Sequence, residues 1–102
     1  MAEIVDRNGK STLIPDASML ESALRGLPAG KLSDLGDVRK RLAGNAGAQM
    51  TCPVTVQKLL VQFSQEDDVP YWRVVDADRP FAKRLKGGGD RVREMLAAES
   101  EG

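Results

Sequence analysis

The sequence predicts a mainly helical α+β domain, and three observations carry that expectation. Apolar residues recur at helical spacing in four separate stretches, each with start or stop residues at an end. Asn8-Gly9 lies between two runs containing β-branched residues, the pattern of a tight hairpin. The chain has 102 residues, 41% hydrophobic and 29% charged, which suits one small globular unit rather than a disordered chain.

Each element follows from local chemistry. Residues 3–14 read as a β-hairpin, because Asn8 and Gly9 tolerate the positive φ angles of a two-residue turn. A first helix is expected from Ser18, whose spacing to Glu21 is that of a capping box. Met19, Leu20, Ala23, Leu24 and Leu27 line one of its faces, and Gly26 and Pro28 stop it. A second helix starts at Ser33 or Asp34, carries Leu35, Val38 and Leu42, and is expected to end at Gly44. Arg39, Lys40 and Arg41 then fall in its later turns, where cations suit the helix dipole.

After a loop over 44–50, a third helix opens at Thr51 or Cys52 with Pro53 in its first turn, where a missing N–H costs little. Val56, Leu59, Leu60 and Phe63 form its inward stripe. Residues 69–75 are strand-like in composition, and 76–86 form an irregular, mostly basic excursion. Gly87-Gly88-Gly89 lacks the spacing of a nucleotide-binding loop and reads as a flexible turn. A last helix is expected from Asp90, with Val92, Met95 and Leu96 facing inward. The expected organisation is one domain: a hairpin extension over 1–15, a helical module over 16–99 and a frayed tail over 100–102. Two short helices, a third helix and then a wing give the outline of a small helix-turn-helix or winged-helix module.

Several chemistries are excluded by composition. There is no histidine, which removes Ser-His-Asp and Cys-His catalysis and His-ligated zinc. One cysteine allows no internal disulfide and no multi-cysteine metal site. The expected function uses neither a metal nor a cofactor. No apolar run approaches the roughly 18 residues of a membrane span. The charged N-terminal residues do not resemble an export signal, and with the free thiol they suggest the cytoplasm. Net charge is zero, yet residues 70–93 carry seven bases against three acids. From charge alone that stretch is a solvated face or a phosphate-facing patch.

Three collinear motifs narrow the reading. Leu27-Pro28-Ala29-Gly30-Lys31-Leu32 resembles the "I-P-x-G-K-V" entry of the alkylguanine-DNA alkyltransferase C-terminal domain. Val69-Pro70-Tyr71-Trp72-Arg73-Val74-Val75 is similar to that family's "I-P-C-H-R-V-V" active-site strand, and Lys86-Gly87-Gly88 with Leu96-Ala97-Ala98-Glu99 to its closing helix. The likeness runs from Met19 to Glu99, about four-fifths of the chain. It implies a winged-helix module over 16–99 that binds double-stranded DNA. Tyr71 and Trp72 stand where the family has its acceptor cysteine and the histidine that helps deprotonate it. A neutral phenol and an indole cannot accept an alkyl group there, so the expected relative is the non-enzymatic alkyltransferase-like branch. Cys52-Pro53-Val54-Thr55 and Pro70-Tyr71-Trp72-Arg73 also resemble short relatives with "C-P-[IV]-T-T" and "P-Y-W-R". The family's recognition-helix arginine is absent, and Leu35 stands where the family has a tyrosine. Nucleotide flipping thereby loses the groups that stabilise the extruded state.

The expected DNA-facing residues are Thr55, Gln57, Lys58 and Gln62 on the third helix and Arg79, Lys83, Arg84 and Lys86 in the wing. Tyr71, Trp72 and Arg73 are the candidates for a base pocket, with Tyr71 as its floor, sensing alkylated guanine for repair. On a strand Tyr71 and Trp72 would point to opposite faces, and Arg73 would hold a carbonyl or carboxylate in the wing. Asp67-Asp68 opposes DNA if it lies on the same face. Two other readings stand beside this one. The fold can serve as a protein-interaction module that has lost DNA binding. Alternatively, Cys52 can act as a displaced alkyl acceptor, its thiolate favoured at a helix N-terminus.

Overall fold

The computed structural model describes residues 2–66 and 68–101. Strands β1 (Glu3–Arg7) and β2 (Lys10–Ile14) pair antiparallel, with Arg7 opposite Lys10. Asn8 and Gly9 both take positive φ, 55° and 80°, as the tight turn demands. The hairpin is no loose extension. Leu13 and Thr12 on β2 are buried, and β2 pairs in parallel with a two-residue strand, β3 (Met50–Thr51). Sequence reasoning treats that stretch as loop. The Gln49 N–H donates to Ser11 O and the Cys52 N–H to Leu13 O, so the sheet sets where the next helix begins.

Helix α1 (Ala17–Arg25) is capped by Asp16, whose carboxylate accepts from the Met19 N–H at 2.9 Å. This replaces the expected Ser18–Glu21 box: Ser18 donates to Asp16 Oδ1, and Glu21 pairs with Arg25. A carboxylate both accepts the orphan N–H and suits the positive helix end. Helix α2 (Leu35–Ala46) is capped by Asp34 as expected, but runs through Gly44 to close at Gly47. Gly47 has φ 77°; its N–H bonds Gly44 O, and the Ala48 N–H bonds Ala43 O. That double closure requires the left-handed residue, so the helix ends where the chain can supply it. Arg39–Arg41 therefore lie mid-helix, not at its C-terminal end.

Helix α3 (Pro53–Ser64) begins at Cys52 and Pro53 as expected, with Val56, Leu60 and Phe63 buried. Helix α4 (Gly88–Glu101) starts two residues before Asp90 and extends to Glu101, so the segment expected to fray is helical that far. Gly102 lies outside the described residues. Leu20, Leu24, Val56, Leu60 and Val92 meet in the core with none of their surface exposed.

Residues 69–75 do not form the expected strand. Pro70, at φ −75° and ψ 63°, makes an inverse γ-turn in which the Tyr71 N–H donates to Val69 O at 2.7 Å. A 3₁₀ turn over Tyr71–Val74 follows, and a second spans Pro80–Arg84. Valine and aromatic residues here reflect burial rather than extension, since Val69, Tyr71, Trp72, Val74 and Val75 are all buried. The described residues thus make a small α+β domain of four helices and one three-stranded sheet. No described residue after Thr51 is in a strand, so turns occupy the place expected for a β wing.

Candidate nucleic-acid interface

The outer face of α3 follows from its inner one. With Val56, Leu60 and Phe63 inward, the 3.6-residue period turns Val54, Lys58 and Gln62 outward, all exposed. Gln57 lies on one flank, half-buried, and its Oε1 accepts from Arg84 Nη1 at 3.3 Å. Arg84 also stacks over the Phe81 ring at 5.4 Å. Two positions on, the Lys86 N–H donates to Ser64 Oγ at 3.1 Å, and Ser64 donates in turn to Val61 O. The basic turn over 80–86 is thereby fastened along α3. Lys83, Arg84 and Lys86 are exposed there. Arg79 is also exposed and pairs at 3.7 Å with Asp76. Thr55 lies half-buried on the opposite flank, hydrogen-bonded to Cys52 rather than set among these cations. Asp68 is exposed after α3, while Asp67 lies outside the described residues.

Beside Gln57 is a cleft of about 500 Å³, bordered by Leu32, Asp34, Leu35, Val75, Asp76 and Arg79. Its walls are mostly apolar, with two carboxylates and one guanidinium at the rim.

Tyr71 is not the floor of an open pocket. Its side chain is 0% exposed, and its ring meets that of Trp72 edge-on at 5.2 Å. The γ-turn and 3₁₀ turn remove the alternation of a strand, so both rings enter the interior. Trp72 Nε1 donates to Glu99 Oε1 at 2.8 Å. Arg73 completes the cluster, holding a carboxylate of α4 and carbonyls at and just after the end of α1 rather than partners in the wing. Its Nε and Nη2 reach Glu99 at 3.0 to 3.2 Å, and its Nη1 reaches Leu24 O, Arg25 O and Leu27 O. Glu99 Oε2 also accepts from the Gly30 N–H at 2.7 Å. Burial pushes the Glu99 carboxyl up, but the Arg73, Gly30 and Trp72 donors outweigh it and leave the group below its ordinary value. Tyr71, Trp72 and Arg73 are therefore brought together as an internal joint between α1, the turn after it and α4. Sequence reasoning gives Glu99 no such role, although the signal is present: it lies seven residues after Val92, on the apolar stripe of α4.

Cys52 is 2% exposed, at the N-terminus of α3. Burial raises its thiol. Hydrogen bonds from the Thr55 side chain and from the Thr55 and Val54 N–H groups, with the Arg7 charge, outweigh this and hold it below its ordinary value. Arg7 Nη1 lies 3.7 Å from Sγ, a contact the sequence does not announce because it crosses from hairpin to helix.

No family model, no curated protein and no solved structure matches this chain. Among the described residues, no helix is long and apolar enough to cross a membrane, and no three His, Cys, Asp or Glu side chains are grouped to hold a metal ion.

Proposed function

We propose that this chain is a non-enzymatic DNA-binding domain of alkyltransferase-like type. In this reading α2 and α3 form a helix-turn-helix-like pair, and the turns over 76–86 stand in for a wing. The observation that carries it is the Arg84–Gln57 bond, which fixes the exposed cations of one segment beside the outer face of another. A duplex laid on α3 meets Lys58 and Gln62 directly and Lys83, Arg84 and Lys86 along the flank. The cleft at Gln57, Val75 and Arg79, rather than the buried Tyr71, is then the place for an altered guanine. Alkyl transfer is not part of the proposal, because a sealed phenol and an indole occupy the motif positions and the Cys52 thiol is also buried.

The test is fluorescence anisotropy with a plain duplex and one holding a single 6-O-methylguanine, across a salt series. Expected is a steep fall in affinity with salt, tighter binding of the modified duplex, and a salt slope reduced by about one for Lys58→Ala. Absence of binding at low salt overturns the reading. A second reading, a protein-interaction module, is favoured by Val54, which is 55% exposed in the first turn of the same face. Binding through such an apolar contact would be nearly independent of salt.

A further inference from the structure

The sheet runs β1-β2-β3, so β1 is its outer strand. Its other edge is covered: β3 lies there, and Ser11 exchanges bonds with Gln49. The register of the hairpin decides what β1 presents. Arg7 and Lys10 flank the two-residue turn and form the narrow hydrogen-bonded pair. Val5 with Thr12 and Glu3 with Ile14 repeat it, so the backbone groups of Glu3, Val5 and Arg7 are spent on β2. Those of Ile4 and Asp6 point away from the sheet. Ile4 is also 47% exposed, an apolar side chain on an open edge.

We infer that β1 pairs with β1 of a second copy of this chain, antiparallel about a two-fold axis at Val5. Charge and hydrogen-bond parity select this register. Only Ile4 and Asp6 carry outward backbone groups, so a symmetric pair must place Ile4 opposite Asp6, Ile4 opposite Ile4, or Asp6 opposite Asp6. The last sets two carboxylates face to face, which is destabilising. Ile4 opposite Ile4 leaves Arg7 without a partner on the strand and sets Glu3 against Val5. Ile4 opposite Asp6 uses all five residues: each copy's Glu3 faces the other's Arg7, and Val5 faces Val5 in the close, non-hydrogen-bonded position. Each of the two Ile4–Asp6 pairs exchanges both N–H···O bonds. The contact is self-complementary, as a closed two-fold interface requires, and it joins two three-stranded sheets into one. It does not depend on what α3 binds.

Sedimentation equilibrium of the full chain tests the inference, with Ile4→Pro, Glu3→Lys and Glu3→Lys/Arg7→Glu as variants. The expected particle has twice the 11.0 kDa chain mass, in concentration-dependent exchange with the monomer. Ile4→Pro removes an outward donor that the fold does not use, and it is expected to weaken the dimer at least about tenfold with an unchanged circular dichroism spectrum. Glu3→Lys sets Lys opposite Arg7 and should weaken it similarly, while the double variant restores opposite charges and returns the dissociation constant to within about threefold of the starting chain. A chain still monomeric at about 1 mM overturns the inference, as does a dimer that ignores Ile4→Pro or a double variant no tighter than Glu3→Lys.

Discussion

Two charged regions of this molecule differ in what their charges are for. At the end of α4, Glu99 meets Arg73, Trp72 and Gly30, while Arg73 also closes three carbonyls at the end of α1. On the outside of α3, Lys58 and Gln62 are exposed. Four residues of the motifs that resemble the alkyltransferases, Gly30, Trp72, Arg73 and Glu99, meet in the first region. Of the candidates for contact with another molecule, Thr55, Lys58 and Gln62 lie outside those three motifs and Lys86 lies within the last. At these four positions of the first region the motif residues hold the scaffold together.

The contrast is open to breaking by substitution. Arg73→Ala removes the countercharge of a partly buried carboxylate and the donor to three carbonyls at and after the end of α1, and is expected to cost about 3 kcal/mol in urea unfolding. Lys58→Ala should move the same measurement by less than about 0.5 kcal/mol. Comparable losses would erase the distinction between the two regions. Glycines sharpen it further. Gly30 has φ 75°, and an added Cβ would lie 3.0 Å from Ser100, so Gly30→Ala is expected to cost about 1 to 2 kcal/mol. Gly44 lies inside α2 with open space around it, so Gly44→Ala should stabilise by about 0.5 to 1 kcal/mol, measured by thermal or urea unfolding.

The mildest probe is pH. Glu99 titrates lower when folded than its ordinary 4.5, so its contribution is complete above that value and is lost as pH falls through the folded one. Urea midpoints across the acid range should therefore decline more steeply for the parent chain than for Glu99→Gln. Parallel curves would remove Glu99 from the acid response.

How much was legible follows from the range of each interaction. The hairpin turn, the Asp34 and Cys52 starts and the inward stripes rest on neighbours within a few residues, and they are readable as such. Strand β3 is two residues long and exists only because β2 lies alongside, so no local pattern marks it. Residues 69–75 mislead because a short apolar run reports burial and not backbone shape; only Pro70 hints at the turn. Gly44 and Gly47 compete to end α2, and the choice rests on which can take positive φ while bonding back to Ala43 and Gly44. For the candidate interface, α3 and its outward residues are visible by period, but the Arg84–Gln57 fastening and the burial of Tyr71 are tertiary facts.

The joint at Glu99 also has a history in time. Gly30 and Glu99 are 69 positions apart, and Arg73 lies 49 beyond the Leu24 carbonyl it closes. At ribosomal rates of about 5 to 20 residues per second, the nascent chain waits roughly 3 to 14 s between making Gly30 and making its acceptor. The hairpin and α1 are made while their closing partners are still unsynthesised, so this end of the domain stays unlocked until α4 is complete.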